Sequence, residues 1–357
     1  MNEFRIAVIP GDGIGKEIVP EGMRVIKALS DQYQFKVFFE ELPYSCQYYL
    51  EHGVMMPEDG IQRLSQFDAI LLGAVGHPSV PDHVSLWGLL IPIRRQMQQY
   101  VNLRPVRLLE GISSPLKNRE PRDIDFCVVR ENSEGEYSQI GGRLFHGTDH
   151  EMAIQETVFT RKGVDRIMRY AFELARTRPK KHVTSATKSN GIIHTMPFWD
   201  EHFAAISQEF QDVATAQYHI DIFTAHLVQH PDWFDVIVAS NLFGDILSDL
   251  GPAVAGGIGI APSANINPER EFPSMFEPVH GSATDIAGKG IANPIGIFWS
   301  IVMMLEFLRE REASRALMNA IEEIVRERKI LTPDLGGEAG TRKFTDSVLN
   351  KLAKTKI

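Results

Sequence analysis

Residues 5–29, "RIAVIPGDGIGKEIVPEGMRVIKAL", constrain the fold more than any other stretch of the chain. They join a β-branched apolar run to three closely spaced glycines, and then to apolar positions at the 3.6-residue period of a helix. The theme recurs: "FKVFFEEL" (35–42) and "FDAILLGAVG" (67–76) read as strands with helical patterns between them. Such alternation predicts an α/β fold with a substantially parallel sheet, because parallel neighbours need long crossovers. The turn "PGDGIG" invites a dinucleotide fingerprint. However, Gly11, Gly13 and Gly15 are spaced by two throughout, and no acidic residue clearly closes a second strand. Two readings stay open: a tight strand-to-helix turn, or a helix start whose free amides receive a nucleotide.

At 357 residues the chain exceeds what one core usually holds, so two domains are expected. After "VNLRPVRLL" (101–109) the texture changes. Residues 123–160 alternate strand-like runs with glycine turns and read as an antiparallel excursion with an extended arm at about 138–160. Residues 163–256 return to helix and strand, with "HVTSATKSN" and "FDVIVASN" as buried strands. From "GGIGIAPSANI" (256–266) onward loops are expected, then an apolar helix near 295–308 and an amphipathic one near 313–329. The expected division is 1–99 plus 257–357 as one domain and 100–256 inserted as the other.

Charge and cysteine content narrow the function classes. A net charge of -9 leaves no basic footprint for nucleic acid or an anionic membrane. Cys46 and Cys127, the only cysteines, are too few for a disulfide framework and suit a reducing compartment. "MNEFRIAVIPGDGIG" has no signal-peptide pattern, and the longest apolar run, "PIGIFWSIVMMLEFL", is short for a bilayer. A soluble cytoplasmic protein is expected.

Several residues carry possible chemistry. In "NLFGDILSDLG" (241–251), Asp245 and Asp249 stand one helical turn apart, a like-charge placement that costs about 0.2–0.5 kcal/mol. Helical spacing puts Ile246, Leu247 and Leu250 on one apolar side with the carboxylates opposite, either as a solvated face or as a site for a hard cation. Among Arg94, Arg95, Arg104 and Arg130, the last ends the apolar strand "FCVV", where a buried charge must find an anion. Tyr137 and Lys188 read either as structural residues or as a proton-transfer pair whose pKa values burial and a nearby cation would lower. Asp221 opens a helix, where an acid can simply face the dipole. Residues 276–294 pack Glu277, His280, Asp285 and Asn293 into a long loop, usually a functional feature. No second histidine stands at metal spacing from His280, which disfavours zinc.

The motifs "PGDGIGKE", "NLRPV", "VRENSEGEY", "NLFGDILSDLG" and "EPVHGSATDIAGKGIANP", in this order and over nearly the whole chain, resemble the metal-dependent β-decarboxylating dehydrogenases of 2-hydroxy acids, the isocitrate/isopropylmalate dehydrogenase family. "VPDHVSLWGLL", "TSATKSNG" and "GIGIAPSANINPER" resemble its tartrate/D-malate branch. The resemblance implies a non-Rossmann α/β architecture: two domains sharing a large mixed sheet, one holding NAD and the other the substrate, metal and dimer contacts. It implies that Asp221, Asp245 and Asp249 ligate Mn²⁺ or Mg²⁺ between two subunits of a homodimer, with Lys188 and Asp221 supplied across the interface. Arg94, Arg104 and Arg130 match the family's carboxylate clamp. Arg95 has no counterpart and is expected at the surface.

NAD is implied along the 280–293 loop, at Glu277, His280, Gly281, Ser282, Ala283 and Ile286, with Asp285 on the ribose and Asn293 near the adenine. A carboxylate at Asp285 repels a 2′-phosphate, which favours NAD over NADP. A monovalent cation such as K⁺ is a further candidate. Lys188 would take the hydroxyl proton as hydride leaves, and Tyr137 would protonate the carbon left by CO₂. Trp87 and Leu90 would face the substrate's β substituent, and Trp87 leaves no charge for a third carboxylate, so D-malate or a tartrate fits best. 3-Isopropylmalate is the alternative substrate. A Mg²⁺-dependent phosphoryl-transfer enzyme is disfavoured by the absence of GxxxxGK followed by Ser or Thr. A non-catalytic anion binder is disfavoured by Tyr137 and Lys188.

Overall fold

In the computed structural model, which describes residues 1–354, the opening stretch forms strand β1 (Glu3–Gly11) and helix α1 (Gly15–Tyr33) around the glycine turn. Ile6, Ala7, Val8 and Ile9 are fully buried, as in a strand covered on both faces. The chain continues through β2 (Lys36–Glu41), α2 (Cys46–His52), α3 (Gly60–Leu64), β3 (Ala69–Ala74) and α4 (Asp82–Ser85). A π turn, Leu86–Leu90, leads into α5 (Ile91–Gln96). Next come β4 (Val101–Arg107), β5 (Asp125–Glu131), the hairpin β6 (Gly141–Leu144) and β7 (Met152–Gln155), and α6 (Arg161–Arg176). After them stand β8 (His182–Thr187), α7 (Thr195–Ser207), β9 (Ala214–His219), α8 (Ile220–Gln229), β10 (Val236–Ala239) and α9 (Asn241–Val254). The last elements are β11 (Pro262–Ile266), β12 (Ser274–Pro278), α10 (Ile295–Phe307), α11 (Arg311–Glu327) and α12 (Thr341–Lys354).

The chain folds as two compact units, and the fold is α/β in both. The first comprises Met1–Gln99, Arg107–Pro121 and the chain from Pro252 onward. Its strands run in the order β2-β1-β3-β12-β11, with β1 parallel to β2 and β3, β12 parallel to β3, and β11 antiparallel to β12. The strands β11 and β12 correct the expectation of loops after residue 256. Their buried faces carry Ser263, Asn265, Ser274 and Glu277, so no apolar alternation announces them. Helix α10 is buried almost all round, which is why its sequence is apolar on every face. Asp12 is buried in the glycine turn and accepts from the amides of Cys46 (2.9 Å), Gln47 (3.2 Å) and Gly76 (3.1 Å), tying the turn to the start of α2 and the end of β3.

The second unit comprises Tyr100–Val106 and Arg122–Gly251. Its strands run β4-β5-β10-β8-β9, with β10 parallel to β5 and β8, and β8 parallel to β9. The hairpin β6–β7 stands apart as an antiparallel ribbon, from Gly141 opposite Gln155 to Leu144 opposite Met152. Ile140, Leu144, Phe145, Met152 and Ile154 on and beside it are exposed. A two-stranded ribbon is marginal by itself in water, and its apolar side chains need a surface to cover them.

Candidate active site

In the second unit the charged groups gather around the end of β5. Phe126 to Val129 are buried in a parallel sheet, and Arg130 at the strand's end is only 3% exposed. A guanidinium taken out of water needs several acceptors. It has them on α9: Nε and Nη2 donate to Asn241 Oδ1 at 3.1 and 2.7 Å, and Nη1 pairs with Asp245. The helix approaches this closely because residue 244 is glycine. A Cβ there would lie 2.6 Å from both Cβ and Cγ of Arg130. From β4, Arg104 Nη1 donates to Ser248 Oγ at 2.7 Å and lies 3.4 Å from Asp249 and 3.7 Å from Asp245. The two aspartates, which have no base beside them in sequence, are therefore neutralised from two neighbouring strands. Tyr137 Oη donates to Asp245 Oδ2 at 2.9 Å, and its ring lies 5.7 Å from the Arg130 guanidinium.

Two expectations are corrected here. Ile246 does not share the buried side of α9 with Leu247. It is 43% exposed, and with Leu242 (36%) it forms an apolar strip beside Asp249, while Phe243, Gly244, Leu247 and Ser248 face the sheet. Nor is the Tyr137 phenol lowered. Burial, which disfavours the anion, raises its pKa; Asp245 adds to the rise and Arg130 opposes it. The Asp249 carboxyl is likewise held above the usual range by partial loss of water and by Asp245, against the pull of Arg104 and Arg130.

Lys188, just beyond β8, donates to Asp221 Oδ1 at 2.9 Å in the first turn of α8, and this hydrogen bond holds the Asp221 carboxyl below its ordinary range. The single chain does not bring this pair to Asp245 and Asp249. Among the described residues no three His, Cys, Asp or Glu side chains converge as a metal-capable group. The Asp245 and Asp249 side chains are 34% and 60% exposed and offer only oxygen, a donor set that fits a hard divalent ion and not a sulfur- or nitrogen-seeking one.

In the first unit, Arg94 Nη2 donates to Glu277 Oε1 at 3.0 Å and Asn265 Nδ2 donates to the same oxygen at 2.7 Å, while Arg94 Nε is buried with no hydrogen-bond partner among the described residues. Trp87 lies in the π turn, closed by Ile91 N–H donating to Leu86 O five residues back, and Leu90 packs against the neighbouring core. Arg95 is not a plain surface residue: it is half-buried with its guanidinium 5.1 Å from the Trp87 ring centre. The 280–293 loop is gripped by the glycine turn. Ile14 N–H donates to Ser282 O at 2.8 Å, and a Cβ on Gly13 would lie 2.0 Å from that oxygen. Glu17 accepts from Gly290 N–H at 2.9 Å and from Gly288 N–H.

Within the loop, His280 Nδ1 lies 3.0 Å from Gly281 O, and burial lowers its imidazole pKa. Ala283 sits at φ 41°, a left-handed backbone that a side chain tolerates only when neighbours impose it. Gly281 and Asp285 are exposed and Ile286 half-buried. Asn293 is spoken for, since it donates to Asp334 Oδ2 at 2.8 Å and accepts from Ile295 N–H at 2.9 Å at the start of α10.

The sequence profile of the family described as isocitrate/isopropylmalate dehydrogenase matches residues 5–348. The chain belongs to this family. It is 57% identical over 355 residues to the D-malate dehydrogenase (decarboxylating) of Escherichia coli (strain K12), covering 98% of each chain. It is 55% identical over 361 residues to the tartrate dehydrogenase/decarboxylase of Pseudomonas putida, covering 99% of each. Among solved structures, the isocitrate dehydrogenase from Methylococcus capsulatus superposes with a TM-score of 0.89 at 32% identity, over 99% of this chain and 100% of that one.

The chain is thus an oxidoreductase, and the glycine turn of this dehydrogenase serves as a clasp on the 280–293 loop. Asp12, Glu17, Glu136, Asn241, Gly244 and Ser248 of the dehydrogenase escaped sequence reasoning. Only Gly244 had a local signal, a glycine inside a helical pattern, which marks close backbone approach.

Proposed function

We propose that this dehydrogenase oxidises a four-carbon 2-hydroxy diacid with NAD as acceptor and Mn²⁺ or Mg²⁺ as cofactor. D-malate and NAD⁺ give pyruvate, CO₂ and NADH, and L-tartrate and meso-tartrate are further substrates. The observation that carries the reading is the meeting at Asp245 of Arg130, Arg104 and the Tyr137 hydroxyl, in a chain whose similar relatives are named D-malate and tartrate dehydrogenases.

Asp245 and Asp249, with Asp221 of a second copy, would hold the cation. The chemistry such a cation would supply is polarisation of the substrate's hydroxyl and the adjoining carboxylate, and that of NAD would be acceptance of the hydride. The forks of Arg104 and Arg130 are suited to bidentate pairing with substrate carboxylates. Lys188, placed by Asp221, would relay the hydroxyl proton away, giving up a proton of its own as it receives one. Tyr137, with its pKa raised, stays protonated through neutral pH and delivers its proton to the carbon that CO₂ leaves. Removing a positioned acid of this kind costs about 10²–10⁴ in rate.

A homodimer follows from the same chemistry. The Lys188–Asp221 pair is apart from Asp245 in one chain, and exposed Ile222, Leu242 and Ile246 adjoin the two sets of carboxylates. The ribbon β6–β7 offers a second apolar surface for the same association. NAD is favoured over NADP by Asp285, an exposed carboxylate on the loop assigned to the nucleotide. No helix among the described residues is long and apolar enough to cross a membrane. Cys46 and Cys127 are buried and not joined in a disulfide, which suits the reducing cytoplasm.

With Mn²⁺ and NAD, the purified protein is expected to raise NADH absorbance with D-malate and with at least one tartrate. It should respond less to isopropylmalate and isocitrate, and should stop when a chelator is added. Silence with every one of these acids rejects the reading.

A further inference from the structure

The segment "ENSEGEY" carries three glutamates, and each ends on a different partner. Glu131 folds the segment onto itself, accepting from Ser133 N–H at 2.8 Å, Ser133 Oγ at 2.7 Å and Glu134 N–H at 2.7 Å. Glu134 reaches the start of α6, accepting from Thr160 N–H at 2.9 Å and Thr160 Oγ at 2.8 Å. Glu136 reaches the start of α9, accepting from Ser240 Oγ at 2.7 Å and Leu242 N–H at 3.0 Å.

The Glu136 contact differs from the other two in its neighbour. Tyr137 is the next residue, and its hydroxyl donates to Asp245 on the same helix. Leu242 and Asp245 are three residues apart, a rise of about 4.5 Å. Two consecutive residues of the segment are therefore fastened to α9 at two points less than one turn apart. One fastening would leave the phenol free to pivot, whereas two fix both its height and its direction. Helix α9 has no acid in its own first turn, so Glu136 also supplies the negative charge that its unpaired amides and dipole favour. Gly135 makes the turn between the Glu134 and Glu136 anchors possible: its φ of 97° is a backbone conformation that side chains rarely adopt.

We propose that Glu136 is a positioning residue for Tyr137, its carboxylate setting the tyrosine hydroxyl on Asp245 by anchoring the segment to the first turn of α9. The proposal rests on the assignment of Tyr137 as the carbon acid.

Length is what the anchor needs. Glu136→Asp keeps the charge but shortens the reach, whereas Glu136→Gln keeps the reach and an acceptor oxygen. A shift near 1 Å at a reacting group costs about 10²-fold. Steady-state turnover of D-malate with Mn²⁺ and NAD should fall by about 10-fold or more in kcat for Glu136→Asp, with KM for NAD unchanged, while Glu136→Gln stays within about 3-fold of the parent. In a Tyr137→Phe background Glu136→Asp should cost almost nothing further, because its effect runs through the missing hydroxyl. Equal losses in the two backgrounds, or undiminished kcat in Glu136→Asp, overturn the proposal. If Tyr137→Phe alone leaves turnover intact, it is the assignment of the carbon acid that fails. Circular dichroism of each variant separates loss of fold from loss of placement.

Discussion

Gly244→Ala tests whether the approach of α9 to β5 is needed for activity and not merely tolerated by the fold. The added Cβ would stand 2.6 Å from Cβ and Cγ of Arg130 and 3.1 Å from its Cα. Close-packed interiors transmit such a clash, so helix and strand must separate by about 0.8 Å to restore contact. Arg130 cannot simply swing aside, since its guanidinium is bound by Asn241 and Asp245. Overpacking of this kind costs about 1–3 kcal/mol. Alanine returns up to about 1 kcal/mol through its better helix propensity. Net stability therefore falls by only about 0–2 kcal/mol.

Activity should fall much further. Asp245 is the neighbouring residue and moves with the helix, and misplacement near 1 Å costs about 10²-fold in rate. Urea denaturation and kcat/KM for D-malate, measured on the same preparation, should thus show a small loss and a large one. A variant that keeps kcat/KM within twofold of the parent would refute the claim that this contact sets the site's geometry.

Burial also sets a pH dependence of stability. The Glu131 carboxyl is fully buried, and burial pushes its pKa up to about 7 from an ordinary 4.5, against hydrogen bonds from Ser133 and Glu134. Its contribution to stability is then fully present below pH 4.5 and lost as pH rises through 7, up to about 3 kcal/mol in all. Glu131→Gln should accordingly gain on the parent in urea titrations between pH 5 and pH 8, and parallel pH curves would contradict the burial argument. Asp221→Ala and Tyr137→Phe chains, each retaining about 1% of parental activity or less alone, should recover about a quarter of it when refolded together, because half of a random mixture is heterodimer with one intact site. No recovery would mean that Asp221 serves its own chain.

The fold was legible where side-chain period and burial agree. The strand-turn-helix opening followed from periodicity and α10 from the length of its unbroken apolar run, because each buries what its sequence offers. Strands β11 and β12 were not legible, since their buried polar residues satisfy one another: Asn265 donates to Glu277, and Ser274 Oγ accepts from Asn267 N–H at 3.0 Å. The return of Arg107–Pro121 to the first unit likewise has no local sign. A residue's neighbours in sequence do not say which sheet its hydrogen bonds will join.

The site divides along the same line. Arg130 could be singled out because a charge ending a buried strand must have an anion, whatever the fold. Which anion it was could not be read, since Asp245 lies 115 positions away. The helical wheel of α9 placed Leu247 on the buried side correctly and Ile246 wrongly. Angular spacing orders residues around a helix but leaves open which side meets the sheet, and here Gly244 decides it by admitting Arg130. That choice leaves Leu242 and Ile246 in solvent next to the carboxylates, and Ile222 in solvent next to Asp221. Under the proposed assignment of Asp221, Asp245 and Asp249 to one cation, that apolar strip is a poor surface for a lone chain and a good one for a second copy bearing the other carboxylate. The same turn of helix that completes the arginine's pairing therefore leaves, in the proposed assignment, the third carboxylate to a second copy.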